Sequence, residues 1–487
     1  MTPTSSRPNI ILLILDTLRA RNMSCYGYEV NTTPCLDGFA RENILFSRAF
    51  SPATWTVPTH ASLLSGLYLS QHRIENVEGN RRFNKKIVTL PAALRPAGYD
   101  TVAFSQNILF SSDHNFDSFD TFFEASKWSR AHPFVRVLKR LVKARKGTSH
   151  RVVRYVEKMT GARLLLDAMR DWAVQKRRSE PFFLMANLGD PHYAWTPPPR
   201  MLARYLRFNP TCLLKREYIC LEPWQFNPEL KQVTPTHRRV WSQLYNATVS
   251  HVDREVGRFL KRLKRWEGWE NTIVVITSDH GEMLGDYRDI VGHMLSLHDN
   301  LIHVPLIVRH PDYPSGSKVE GVVQTLDLYP SIVEWAGLIK ESVPSAQLQR
   351  PSLTRAMSAP EDAGGYAFAE EDYTDSYNPV SGLRSVNPNI DPKKYPTRQV
   401  SVHSAKHKYI WCDDRPGEFY DLETDPYEQE NLMGRLDDNG KLALNTLQQA
   451  MNEWQSNLEM FPPETVDDAP QQDEEVLRRL RGLGYIA

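Results

Sequence analysis

Asn9-Ile10-Ile11-Leu12-Leu13-Ile14-Leu15-Asp16-Thr17 is an apolar run that never alternates with polar residues and that stops at a carboxylate. A strand with one wet face would alternate, so an unbroken run of this length predicts a strand buried on both faces, as in a parallel sheet covered by helices. Two further runs behave alike: Phe182 to Ala186, followed by Asp190-Pro191-His192, and Thr272 to Ile276, followed by Asp279-His280-Gly281-Glu282. In open parallel sheets ligands sit beyond the carboxyl ends of the strands, so the three polar clusters are expected to converge on one crevice. Asp16 at a buried strand end would cost several kcal/mol without a partner, so it is paired, exposed or bound to a cation. Asp16 and Asp279 with the imidazole of His280 suit a divalent ion such as Mn²⁺, Zn²⁺ or Ca²⁺.

Helical segments separate the runs, for example Tyr245 to Leu263, where Val249, Val252, Val256, Leu260 and Leu263 recur at helical spacing. The expected fold class is therefore α/β, with a mostly parallel central sheet flanked by helices. Past about Val380 the texture changes to hairpin-like runs (Gln399 to Val402, Lys408 to Cys412, Glu418 to Leu422) and a helix from Leu442 to Asn457. This predicts a catalytic α/β domain over residues 1–379 and a smaller α+β subdomain over 380–487. The Pro- and acid-rich segment Phe461 to Glu475 reads as an extended linker before a short final helix.

The 487-residue chain carries 59 basic against 58 acidic residues, so no global charge points to nucleic acid. Its five cysteines, Cys25, Cys35, Cys212, Cys220 and Cys412, lack metal-type spacing and are odd in number, which argues against a disulfide framework. With Asp16 ending the first apolar run too early for a signal or membrane segment, a cytoplasmic protein is expected. A basic insertion, about 130–178, sets Phe134, Val137, Leu138, Leu141 and Val142 beneath Arg136, Lys139, Arg140 and Lys143. A solvated helix packed on the domain is the ordinary meaning of such a stripe; contact with a membrane surface or an anionic substrate is the sharper alternative, and self-association is left open.

The motifs, taken in order, resemble the sulfatase-like branch of the alkaline phosphatase superfamily. The opening Asn9 to Arg19 is followed by Tyr26-Gly27-Tyr28 and Thr33-Pro34. Trp55-Thr56-Val57-Pro58-Thr59-His60-Ala61-Ser62-Leu63-Leu64-Ser65-Gly66 is similar to the family signature Cys-x-Pro-x-Arg with its trailing apolar pair and Gly. Phe182 to Pro198 resembles the segment carrying a substrate histidine, and Thr277 to Glu282 with Gly292-His293 the metal segment. Phe419-Tyr420-Asp421-Leu422, Asp425-Pro426 and Leu483-Gly484-Tyr485 are similar to the family's end.

By that resemblance the metal ligands are Asp16, Thr56, Asp279 and His280, the nucleophile is Thr56, and His192 and His293 neutralise the transferring oxygens and protonate the leaving group. Glu282 is expected to orient His280. The departures shape the chemistry. Thr56 stands where the family has the cysteine, or in some organisms serine, that becomes formylglycine, and threonine cannot form that aldehyde. His60 replaces the usual arginine, Thr17 the second aspartate, and Gln106-Asn107-Ile108 a frequent Lys-x-His, leaving His60 and Asn107 as the substrate-binding candidates. Arg21 stands where related openings often have Asp. The resemblance then implies a metal-dependent hydrolase of phosphate, phosphodiester or phosphonate esters, small or polymer-linked, with Mn²⁺ favoured and no formylglycine. The alternatives are a sulfuric ester hydrolase, a phosphotransferase, and a degenerate fold used only for binding.

Overall fold

The computed structural model describes residues 7–75, 81–112, 116–124, 149–175, 180–207, 226–227, 229–313, 316–338, 342–360, 365–374, 383–385, 387–391 and 395–465. Eight strands form the central sheet: β1 (Asn9–Leu15), β2 (Ile44–Phe50), β3 (Asp100–Ser105), β4 (Thr121–Glu124), β5 (Phe182–Leu188), β6 (Thr272–Thr277), β7 (His303–Arg309) and β8 (Lys318–Gln324). Their order is β8-β2-β7-β6-β1-β5-β3-β4. Every pairing is parallel except those of β7, which runs against both β6 and β2.

The reason β1 does not alternate is visible in its packing. Ile10, Leu12 and Ile14 enter one core, while Ile11, Leu13 and Leu15 enter the core on the opposite face. The first is closed by α2 (Thr56–Ser65) and α5 (Leu328–Trp335), the second by α1 (Pro34–Glu42), α3 (Ser149–Gln175) and α4 (Pro235–Leu263). With Ile10 to Leu15 all 0 % exposed, truncating any one of them to alanine would cost about 2–5 kcal/mol. Helix α4 begins at Pro235 rather than at Tyr245. Thr234 caps it by accepting from the His237 amide, and the proline takes the first-turn position where no donor is needed.

A second sheet, wholly antiparallel, follows: β9 (Ala367–Asp372), β10 (Arg398–His403), β11 (His407–Cys412) and β12 (Glu418–Asp421). Its first strand lies ahead of position 380, where the sequence alone changes texture. One face is covered by α6 (Asp438–Ser456) through Leu447 and Met451. The other face meets the main domain at Phe50, Leu301 and Ile302. The basic stripe from Phe134 to Lys146 and the closing motif Leu483-Gly484-Tyr485 lie outside the described residues. Among the described residues no helix is long and apolar enough to cross a membrane.

Candidate active site

Register brings the polar clusters together. Leu15 pairs with Leu188, Ile14 with Thr277, and Ser105 with Asn187, so Asp16, Asn107, Asp190 and Asp279 leave the same edge of the sheet. Strand β2 delivers Ser51 to Trp55 at that edge, and α2 starts at Thr56. The strand ends are stitched to each other. Ser278 Oγ donates to the Leu15 carbonyl at 2.5 Å and accepts from the Leu18 amide at 2.8 Å, and the Thr17 amide donates to Asp279 Oδ1 at 3.2 Å. Thr17 is held at φ +65°, a conformation that β-branched residues rarely adopt and that persists only where surroundings enforce it. The enforcing group is Tyr245 of α4, whose hydroxyl donates to the Thr17 carbonyl at 2.7 Å and accepts from the Arg19 amide at 3.0 Å. Gly281 is demanded by close approach: a Cβ there would collide with the Asn300 carbonyl.

Asp16, Asp279 and His280 present one ligand atom each, all within 4.8 Å of one another. His280 Nε2 stands 3.4 Å from Asp279 Oδ2 and 4.0 Å from Asp16 Oδ1. Their other atoms are spoken for. His280 Nδ1 donates to the Gly281 carbonyl at 2.9 Å, Asp279 Oδ1 accepts from the His280 amide at 2.9 Å, and Asp16 Oδ2 accepts from Asn107 at 2.7 Å. The three facing atoms, Asp16 Oδ1, Asp279 Oδ2 and His280 Nε2, are buried without a hydrogen-bond partner. Burial, aided by the neighbouring Asp279, holds the Asp16 carboxyl well above the usual carboxylate range, and burial pushes Asp279 up to about 7. Burial also lowers the His280 imidazole, which favours its neutral form. Two crowded carboxylates, a neutral imidazole and three orphaned lone pairs fit a divalent cation.

Among the described residues a second such group, Asp299, His403 and Glu428, is different in kind. It already encloses the buried ammonium of Lys408, which donates to Asp299 Oδ1 at 2.9 Å and to Glu428 Oε1.

Thr56 is fully buried in the first turn of α2, where the helix dipole favours negative charge. Its Oγ accepts from Asn107 Nδ2 at 3.0 Å, the same nitrogen that reaches Asp16. That α2 can stop cleanly depends on Gly66, at φ +70°, where any side chain would strike the Gln347 carbonyl and the Tyr329 ring.

His60 lies one turn below Thr56 with both ring nitrogens committed. Nδ1 sits 2.9 Å from the Thr56 carbonyl and Nε2 lies 3.2 Å from Asn187 Nδ2, so the neutral ring donates to the first and accepts from the second. Burial drives its pKa down to about 3. This differs from a substrate-binding part for His60: its hydrogen bonds end inside the protein, on the first turn of α2 and on β5.

His192 and His293 lie on the rim, with ring centroids 4.8 Å apart, and His293 is also 4.8 Å from His280. His192 Nδ1 bonds the Tyr193 carbonyl at 2.5 Å. Glu282 was expected to orient His280, but its Oε1 lies 3.1 Å from His293 Nδ1, while His280 uses its own neighbour's carbonyl. Burial, and then the nearby His280, keep the His293 imidazole well below its ordinary pKa. Arg21 points away from the crevice, donating to Asn300 Oδ1 at 2.6 Å and to the Pro426 carbonyl at 3.2 Å. The part played by Asn187 has no signal in the sequence. It is the second-to-last residue of the apolar strand β5, where nothing in composition marks a polar partner.

Comparison with known proteins yields a consistent result. A family model described as Sulfatase matches residues 8–338. An N-acetylglucosamine-6-O-sulfatase of Bacteroides thetaiotaomicron is 22% identical over 89% of this chain and 84% of its own. The multifunctional alkaline phosphatase superfamily protein PehA of Trinickia caryophylli is 24% identical over 88% of this chain and 92% of its own. Among solved structures, the phosphonate monoester hydrolase of Agrobacterium radiobacter superposes with a TM-score of 0.70 at 20% identity, covering 92% of this chain and 96% of that one.

Proposed function

The chain belongs to the sulfatase family, and from that premise we propose that it is a metal-dependent hydrolase of phosphate, phosphodiester or phosphonate esters with Thr56 as nucleophile. One observation carries the proposal: the Thr56 hydroxyl, at the start of α2, shares the Asn107 amide with Asp16, at 3.0 Å and 2.7 Å. By the resemblance of Trp55 to Gly66 to the family signature, a side chain unable to become an aldehyde would stand at the position the family uses for attack.

Asp16, Asp279, His280 and Thr56 would hold the ion, and the mixed oxygen and imidazole set favours Mn²⁺ or Zn²⁺ over Ca²⁺. A divalent cation bound there lowers the pKa of the threonine hydroxyl and withdraws charge from the transferring oxygens. The Thr56 hydroxyl gives its proton to the neutral imidazole of His192 or His293, its Oγ forms a bond to phosphorus as the bond to the ester oxygen breaks, and the imidazolium passes that proton to the departing oxygen. Water then attacks phosphorus, the bond to Thr56 Oγ breaks, and that oxygen regains its proton. Glu282 supports this work by holding His293 Nδ1 and steadying the ring when it is charged.

Phosphorus is favoured over sulfur because a sulfated threonine has no aldehyde to collapse to and must be cleaved at the central atom. The second reading is a sulfuric ester hydrolase, supported by the family and by relatives such as the N-acetylglucosamine-6-O-sulfatase. Parallel assays of nitrophenyl phosphate, a phosphodiester, a phosphonate monoester and nitrophenyl sulfate, on protein reconstituted with Mn²⁺ or Zn²⁺, separate the two. Faster turnover of the sulfate ester would overturn the phosphorus assignment.

A further inference from the structure

Glu371 ends up far from the crevice in sequence yet touches both loops that build it. It lies on β9 of the small sheet, is 2 % exposed, and is surrounded by donors. Thr54 Oγ donates to Oε1 at 2.5 Å, Tyr373 OH donates to Oε1 at 2.8 Å, and Gln399 Nε2 donates to Oε2 at 2.9 Å. The backbone amides of Leu295 and Ser296 also direct hydrogen bonds at this carboxyl, and the Leu295 amide reaches Tyr373 OH at 3.3 Å. Thr54 stands two residues before Thr56, and Leu295 two residues after His293. Leu295 is held at φ +73°, a strained conformation for a leucine that its neighbours must enforce. Nearby, the Glu370 amide donates to the Pro52 carbonyl at 2.9 Å, which presses β9 against the same approach to α2.

Burial pushes the Glu371 carboxyl up to about 7 against the pull of these donors, and in its ionised form it binds many of them at once because it offers two oxygens and no hydrogen of its own. Placed between two turns, it fixes their separation more rigidly than any apolar contact would, since each donor demands a distance and a direction. We propose that Glu371 is a positioning residue for the reaction, a clamp by which the C-terminal sheet sets the nucleophile turn and the His293 turn in one fixed relation. The inference rests on the ester-hydrolase reading for its kinetic consequence, and on the geometry alone for the clamp. A loosening of about 1 Å between Thr56 and His293 is enough to cost on the order of 10²-fold in rate.

The test uses full-length protein reconstituted with Mn²⁺, carrying Glu371→Ala, Glu371→Gln, Thr54→Val or, as a control from the exposed face of α6, Glu453→Ala. Two quantities are read: kcat and KM on the best ester of the panel, and amide hydrogen exchange by mass spectrometry over residues 51–56 and 292–297. Glu371→Ala is expected to lower kcat about 10- to 100-fold with KM within about 3-fold, and to speed exchange in both segments. Glu371→Gln should recover most of kcat, because its carbonyl oxygen still accepts from Thr54 and Tyr373 while the Gln399 amide can turn to match its new nitrogen. Glu453→Ala should leave kcat near wild type. Unchanged kcat in Glu371→Ala, faster exchange in one segment alone, or equal losses in the Gln and Ala variants would overturn the clamp. Should Glu371→Ala not fold, Thr54→Val decides: lowered kcat with faster exchange over 51–56 supports the proposal, and wild-type values overturn it. A wild-type protein inactive on every ester would instead defeat the hydrolase reading, with the exchange data still deciding the clamp.

Discussion

Asn107 donates its side-chain amide to the Thr56 hydroxyl at 3.0 Å, and the same nitrogen donates to Asp16 Oδ2 at 2.7 Å. One nitrogen therefore fixes the distance between the Thr56 hydroxyl and a metal-type carboxylate. Asn107→Ala is expected to lower kcat by about 10²-fold, since the hydroxyl loses its aim, and to weaken metal binding by about 10-fold, as the loss of a ligand's supporting partner usually does. Steady-state kinetics with a metal-competition titration checks both. A variant with wild-type kcat would show that Thr56 is oriented by something else.

Thr56→Ala should abolish ester turnover while the protein still folds and still binds metal, because Asp16, Asp279 and His280 remain. Thr56→Ser should keep measurable activity. Intact-mass analysis of wild-type protein quenched during turnover of a phosphate ester should find the added phosphoryl group on the peptide containing Thr56, and its presence elsewhere would reassign the nucleophile. More than a tenth of wild-type activity in the alanine variant would do the same.

Chelation leaves two buried carboxylates facing each other without a counter-charge, so metal-free protein should melt lower than the reconstituted form. Asp279→Asn removes one of those charges. It should raise the melting temperature of the metal-free protein relative to metal-free wild type, while lowering metal affinity. Calorimetry on both forms gives the comparison, and a chelator-insensitive melting temperature in wild type would count against a metal at this place.

The His72 imidazole accepts from the Ile74 amide through Nδ1 at 2.9 Å and meets Ser62 Oγ through Nε2 at 3.0 Å, and burial lowers its pKa to about 3. The unfolded chain keeps the ordinary value near 6.5, so between the two it binds a proton that the folded protein refuses. The stability from this group is complete above pH about 6.5 and is lost as pH falls toward 3, by about 1.4 kcal/mol per pH unit in that window. Replacing it by His72→Gln should flatten the acid limb of stability against pH by about that slope. Urea titrations from pH 7 to 4 measure it; parallel limbs for the two proteins would mean that His72 titrates normally.

The parts of the fold that could be read in advance were those where a single physical rule dominates. Ile10 to Leu15 and Thr272 to Ile276 had to be strands buried on both faces, and the register of β1 with β6 then forces Asp16 and Asp279 to one edge. The partner of Glu282 is hidden from the sequence for the opposite reason. His280 is its near neighbour in sequence, but a loop returns His293 to it and no periodicity announces that return. His60 looked like a replacement for an arginine and so like a substrate contact. Its real bonds, to a carbonyl one helical turn back and to Asn187 on another strand, depend on packing that only the folded chain displays. Glu371 is invisible for a similar cause, since the acidic run Glu370-Glu371-Asp372 reads as solvent-facing until the Thr54 and Leu295 turns close over it.

The reversal of β7 makes the stretch from Ser278 to Ile302 a long hairpin excursion, because the strands on either side of it, β6 and β7, are bonded directly to each other. Asp279, His280, Glu282 and His293 all ride on that excursion. Its tip, Arg288 and Asp289, is exposed and turns at φ +44° and +61°. Lengthening the chain there would raise the entropy of closing the loop only slowly, as the logarithm of its length, and would leave both pillars in register. The hairpin tip is thus where evolution, or an engineer, can graft a new specificity element onto this enzyme while the reacting groups stay in place.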